Sequence, residues 1–353
     1  MDWFVILPTI LIFALIIVFH EVGHFLVAKA CRIPVHEFSL GFMRPILFQR
    51  KWRGTAYSIR AVPLGGFVHI AGMEPGEDDP NGFDKKSKSA RFAVLFAGPF
   101  MNFVLAALLF WVVGISYGVN VGVTNAIQHV IPGTPAEHAG LRVGDRLVSV
   151  RGVAGPVDKL RDQIQKSPGK RIWIEVKRKG RAVRIAIVPA AREALETTDH
   201  GHRIVKVGTI GIVFRAKTRP MGLGESLFEG VRMTYLETRM MVALLAETVV
   251  GELPLKVGGP VRIVHEMVEA ANVGWVNFLM LSAFLSLNIG FVNLLPFPAL
   301  DGSRLMFLVV EAVRRRPIDK RREAIVHLVG FAILLLVIAL LMYQDIVYLV
   351  KKQ

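Results

Sequence analysis

The chain has 353 residues, of which 53% are hydrophobic, with a mean hydropathy of +0.47 and a formal net charge of +15. Such totals exclude a single soluble globular domain and indicate a polytopic membrane protein carrying an additional soluble module. They also argue against nucleic acid as a partner, because the basic residues are spread through loops and strands without aromatic interleaving; anionic lipid headgroups and membrane topology account for them.

The first apolar run, Trp3 to Phe19, leads into His20-Glu21-Val22-Gly23-His24 and continues to Ala30. It lacks the basic n-region and small-residue cleavage site of a removable signal peptide, so it is expected to remain as the first span. Ionisable side chains at mid-bilayer cost on the order of 2.5 to 3.5 kcal/mol each, and a His-Glu-His cluster there needs a metal or a polar cavity as compensation. Four residues apart on a helix, His20 and His24 project from one face and can bind one Zn2+. Glu21 stands beside them, placed to take a proton from water at the metal.

From Val35 to Met73 the pattern is extended. Tyr57 to Val62 alternates, Gly54 offers a turn, and Leu64 to Val68 resumes a strand, which predicts a β-hairpin. Next to a membrane metal site, such a hairpin could offer a strand edge to a substrate backbone; the alternative is an ordinary cytoplasmic hairpin. A second span is expected over Phe92 to Tyr117. Short strands then follow at Asn125 to Ile131, Arg146 to Val150, Arg171 to Arg178 and Ala182 to Val188, predicting a compact α+β domain.

Two amphipathic or connecting helices are expected at Leu223 to Val250 and Gly259 to Ala271, separated by Gly251, Pro254, Gly258 and Pro260. The third and fourth spans are Trp275 to Leu295 and Ala324 to Val350. The connections after the first and third spans are rich in Lys and Arg, as at Arg314, Arg315, Arg316, Lys320, Arg321 and Arg322. That places them in the cytoplasm, and both termini and the long middle region outside.

The lone cysteine, Cys31, rules out an intrachain disulfide and a thiolate cluster, leaving imidazole and carboxylate as strong ligands. A catalytic zinc takes three protein ligands and leaves a fourth place open, so a third ligand must come from another span. Asp301 is the candidate. It follows Pro296 and Pro298, which interrupt the third span near the depth of the histidines, and Gly302 permits close chain approach. Taken alone, Leu-Asp-Gly would equally be a helix-ending turn. The other histidines lack partners at ligand spacing, apart from His200 and His202 in a polar loop, and all are expected at surfaces or in packing rather than on a metal.

Two separated stretches, His20-Glu21-Val22-Gly23-His24 and Asn293-Leu294-Leu295-Pro296-Phe297-Pro298-Ala299-Leu300-Asp301-Gly302, together resemble the site-2 protease family of intramembrane zinc metalloproteases, especially its bacterial regulators with a PDZ module. The resemblance covers nearly the whole chain. Gly98-Pro99-Phe100-Met101-Asn102-Phe103 is similar to the family's second-span motif, and Val62-Pro63-Leu64-Gly65-Gly66-Phe67-Val68 to its membrane-associated β region. It implies that His20, His24 and Asp301 hold one Zn2+ per chain, that Glu21 is the general acid/base, and that Asn102 and Asn293 bind or steady substrate. The stretch Pro132 to Leu147 resembles the short helix and following strand of a PDZ domain, one such module where many relatives carry two.

The expected fold is therefore a polytopic α-helical membrane protein with four transmembrane helices, a membrane-associated β-hairpin and one extracytoplasmic PDZ-like α+β domain. Its parts are residues 1–118 with the first two spans and the hairpin region 35–73, the PDZ-like domain 119–190, a linker with connecting helices 191–272, and 273–353 with the last two spans. By the resemblance the protein is a multi-pass enzyme of the bacterial inner membrane. Its partners would be the lipid bilayer and single-span transmembrane substrates, cleaved in regulated intramembrane proteolysis such as anti-sigma factor release, or in signal-peptide clearance. The competing class is a non-proteolytic membrane metal-binding scaffold presenting the PDZ-like domain.

Overall fold

The computed structural model describes residues 3–74, 76–198, 201–251, 258–316 and 318–352. Pro254, expected among the helix breakers, and His200 of the polar loop lie outside the described residues. The chain forms two compact units, one made of residues 1–113, 226–238 and 256–353, the other of residues 114–225 and 239–255.

Helix α1 (Trp3–Ala30) is followed by two long strands, β1 (Val35–Trp52) and β2 (Thr55–Ile70). The expected hairpin forms but folds back on itself. Residues 37–40 pair with 66–69 on one side and with 56–59 on the other, while 46–52 pair with 55–60. Two strands thus make four ribbons, bent where Gly41 and Met43 take φ of +88° and +63°. The base of this sheet is anchored because Val35 and Ile70 join Ala28, Ile33, Phe83, Val94 and Leu95 in one buried apolar cluster. Its far end exposes Met43, Leu47, Phe48 and Trp52. Helix α2 (Lys88–Tyr117) completes this part of the chain.

The second unit begins with β3 (Val119–Val130), followed by α3 (Pro135–His138), β4 (Arg146–Val150), β5 (Val153–Ala154), α4 (Val157–Gln165), β6 (Ile172–Arg178), β7 (Arg181–Ile187), β8 (Ala190–Thr198), β9 (Gly201–Thr209) and β10 (Ile212–Arg219). Its main sheet runs β10-β3-β4-β6-β7 with β5 beside β4, and β8 and β9 form a separate hairpin. The sheet extends past residue 190, where the expected domain ended: β10 pairs antiparallel with β3. The expected linker therefore holds three strands ahead of its helices. Alternation along β6 buries Ile172, Ile174 and Val176, and α4 lays Leu160 and Ile164 into the same core.

The remaining helices are α5 (Leu223–Val250), α6 (Pro260–Val273), α7 (Trp275–Leu294), α8 (Asp301–Arg314) and α9 (Lys320–Lys352). Helix α8 was not expected from the sequence. Among the described residues four helices are long and apolar enough to cross a membrane, over Ile6–Ala30, Lys88–Tyr117, Trp275–Leu294 and Arg321–Tyr348. The membrane-protein class expected from the sequence is thus supported by the helices themselves.

Within the second unit, Asp145 is 1% exposed and accepts hydrogen bonds from Arg178 Nη2 at 2.7 Å, Arg178 Nε at 2.8 Å and the Arg142 amide at 2.9 Å. Burial alone would raise its carboxyl, but these bonds and the two arginine charges outweigh that and hold it below the ordinary carboxylate range. Asp145→Ala should destabilise this unit by roughly 2 to 3 kcal/mol, the arginine being partly solvated and able to recover water. A lowered folded pKa also means that the stabilisation is complete above about pH 4 and is lost as pH falls below it. Hydrogen exchange of β4 and β6 amides, compared between the variant and the unmodified chain at pH 7, checks this.

Candidate metal centre

Helix α1 places His20 and His24 one turn apart, their rings edge-on with centroids 4.9 Å apart. Asp301 reaches them from the first turn of α8, after the chain leaves helical geometry at Leu295 and re-enters it past Leu300. The break is the one Pro296 and Pro298 predict, since each proline lacks an amide hydrogen and disfavours helix in the residue before it. Asp301 Oδ2 lies 3.0 Å from His20 Nε2 and 3.3 Å from His24 Nε2, and the two Nε2 atoms are 3.2 Å apart.

Three donor atoms thus converge on one point. Tetrahedral zinc, with bonds of about 2.0 to 2.2 Å, sets neighbouring donors about 3.3 Å apart, so the trio matches the span of a single ion. The tautomers agree with this chemistry. His24 Nδ1 donates to the Val94 carbonyl at 2.8 Å, which in the neutral ring leaves the Nε2 lone pair facing the other two donors. Lone pairs directed at one another repel unless a proton or cation lies among them.

Helix α2 fits against this face because Gly23 and Gly98 lack side chains. A Cβ on Gly23 would stand 2.2 Å from the Ala97 carbonyl oxygen, and one on Gly98 2.2 Å from His24 Nε2. Asn102, expected to line or steady the substrate site, is fully buried next to His20. Its Nδ2 lies 3.4 Å from His20 Nδ1, and its Oδ1 has no hydrogen-bond partner. Exchanging the amide ends would give His20 Nδ1–H an acceptor and turn its Nε2 lone pair toward the trio. Asn293, on the last turn of α7, is partly buried, and its side chain makes no hydrogen bond among the described residues.

Glu21 lies beside the trio in the same cavity, its Cγ 3.7 Å from where a Gly66 Cβ would stand. Among the described residues the 66–69 ribbon pairs with 37–40 alone, and Gly66 of that ribbon lies against Glu21. Glu21, His20, His24 and Asp301 line one cavity of about 910 Å3, together with Phe67, Val68, Arg91, Arg304 and His327. Sequence spacing did not reveal Val94, Gly98 or His327 as neighbours of the site, although the Gly98-Pro99 pair within an apolar run was visible. The structure also groups His69 with Glu74 and Glu77, His69 Nε2 lying 2.6 Å from Glu77 Oε1, where the sequence suggested no partner.

The sequence model of peptidase family M50 matches residues 8–337. A protein of Clostridium acetobutylicum, provisionally named a zinc metalloprotease, is 32% identical over 352 residues, spanning 99% of each chain. The zinc metalloprotease RasP of Oceanobacillus iheyensis is 29% identical over 420 residues, covering 96% of this chain and 97% of its own. RasP of Geobacillus kaustophilus is 28% identical over 422 residues, covering 97% of both.

Gly98→Ala tests the packing behind the site. Its methyl would occupy the place of His24 Nε2, so the ring must leave the trio. Zinc content of the purified variant should fall well below one per chain while circular dichroism keeps the helical signal, and full zinc occupancy would contradict this packing.

Proposed function

This chain belongs to peptidase family M50, the site-2 protease family, and we propose that it is a zinc endopeptidase of the membrane that cleaves the transmembrane segments of single-span proteins. One observation carries the reading. Asp301 meets His20 across 281 positions of sequence at 3.0 Å, next to Glu21, among helices apolar enough to cross a bilayer. A scaffold that merely held a metal would have no use for a carboxylate beside the first ligand.

In this reading His20, His24 and Asp301 hold one zinc ion. When bound, zinc supplies Lewis acidity toward the scissile carbonyl and lowers the pKa of the attacking water. Glu21 accepts the proton from that water and passes it to the leaving amine. The Val94 carbonyl orients His24, and Asn102 steadies His20 from behind. Asn293 is assigned to substrate on the family resemblance.

A substrate helix shields its own amides and must unwind before it can be cut. The lost hydrogen bonds are recovered if the unwound segment adds as a strand to the 66–69 edge beside Glu21. That edge is a reason to assign an extended substrate backbone.

The basic connections after the first and third spans assign the hairpin and the α8–α9 turn to the cytoplasm, and the middle unit and termini to the outer side of a bacterial cytoplasmic membrane. The region 119–190, with β10 added, is assigned as a PDZ-like module that screens substrates by the bulk of their outer portion. Its support is the Pro132 to Leu147 motif and an antiparallel sheet backed by α4. The biological setting is regulated intramembrane proteolysis or clearance of signal peptides.

Glu21→Gln should retain zinc and fold while cleavage of a single-span reporter falls by at least about a hundredfold. Undiminished cleavage by that variant would refute the protease mechanism. Replacing residues 121–217 with a flexible linker should leave zinc bound and admit substrates with bulky outer portions. An equal fall for all substrates would assign the module to structural support instead.

A further inference from the structure

The carboxylate that completes the metal trio sits at the end of an irregular loop, and something must hold that loop in place. Ala299, two residues before Asp301, has φ of +80°, a left-handed conformation that a residue with a Cβ adopts only when its surroundings impose it. Most hydrogen bonds of this loop are local, joining Phe297 to Leu295, Leu300 to Phe297 and Ser303 to Leu300. The Ala299 amide is different. It donates to His327 Nδ1 on α9 at 3.2 Å.

A second contact fixes the same loop to the same helix. A Cβ on Gly330, one turn beyond His327, would stand 2.1 Å from Pro298 Cβ, so α9 and the loop touch backbone to ring. Phe307 of α8 meets the His327 ring edge-on at 5.9 Å, which closes the imidazole in from the third side. Accepting at Nδ1 puts the neutral ring's proton on Nε2. That atom is buried and lies 3.8 Å from Glu323 Oε1, one turn earlier on the same helix. The imidazole thus faces Glu323 of its own helix with one edge and holds the loop with the other.

We infer that His327 is a positioning residue for Asp301. By accepting the Ala299 amide it imposes the left-handed turn that aims Asp301 at His20 and His24, and it thereby makes metal retention depend on the last span. The inference rests on the reading that those three residues hold zinc.

The test measures zinc retention of the full-length protein in detergent against a competing chelator, with thermal unfolding in the same micelles as a control for folding. Three substitutions separate acceptor position from bulk and polarity. In His327→Asn the side-chain oxygen takes the place of Nδ1, in His327→Gln it reaches to where Nε2 stood, and His327→Leu offers no acceptor. Outer partners of metal ligands affect affinity by about ten- to a hundredfold. Gln and Leu should weaken retention by about tenfold, and Asn by less than about threefold.

Retention by the Gln variant equal to that of the unmodified protein overturns the inference, as does equal loss in the Asn and Gln variants. Should the Leu variant fail to fold, the two polar substitutions decide the matter. Asp301→Ala is measured alongside. If it retains zinc like the unmodified chain, or if the unmodified chain holds none, the assignment of the metal ligands itself has failed. If it loses zinc while His327→Gln does not, only the role of His327 falls.

Discussion

The convergence of two imidazoles and a carboxylate among apolar helices is the constraint on which the rest of the metal-site unit depends. Polar side chains within a bilayer-spanning segment are stable only if they satisfy one another, a metal or enclosed water. His20 and His24 are both nearly inaccessible, and neither could be left facing lipid. Their requirement explains several features at once. Helix α2 must come close enough for the Val94 carbonyl to receive His24, which demands small residues at positions 23 and 98. The third span must be interrupted so that Asp301 can enter, which demands the prolines.

The interruption carries its own cost. Non-helical backbone between α7 and α8 exposes amides and carbonyls that water would otherwise satisfy. The chain meets this with tight local bonds in residues 295–303 and, among the described residues, a backbone bond to another element from Ala299 to His327. The site therefore uses residues from near both ends of the sequence and from the last span as well. Charged groups such as Arg91 and Arg304 share the wall of the cavity that the three donors line.

Much of this was legible in the sequence because the signals were local and strong. Apolar runs of about 20 residues locate spans whatever the tertiary structure, and an i, i+4 pair of histidines shares a helix face wherever the helix goes. Asp301 was legible because a carboxylate beside a proline break in a span is costly unless a cation or another polar group receives it. What escaped depended on distant partners. The four-ribbon sheet of β1 and β2 arises from a fold-back whose register no short window contains, and β10 joins β3 across a separation that includes a whole hairpin. Helix α8 was hidden because Leu-Asp-Gly reads equally as the end of a helix or the start of one. Asn102 was placed in the right neighbourhood, but that it stands behind the His20 ring could come only from the packing of α2 on α1.

The last span shows how few polar contacts can locate a helix that is otherwise generic. Helix α9 is apolar over Arg321–Tyr348 and mostly exposed within the protein, as a lipid-facing helix should be. Greasy surface alone fixes neither its rotation nor its depth, since any face would satisfy lipid equally well. Two side chains remove that freedom. Asp345 accepts the amides of Gly259 at 3.2 Å and Arg262 at 2.9 Å, taking up donors that the start of α6 would otherwise leave unpaired. His327, five turns earlier by the 3.6-residue repeat, accepts the Ala299 amide. Eighteen positions separate the two, so they lie on the same face of the helix and toward its opposite ends. A helix pinned at two depths on one face can neither turn nor slide without breaking a buried bond. This gives the loop before Asp301 a fixed wall to lean on.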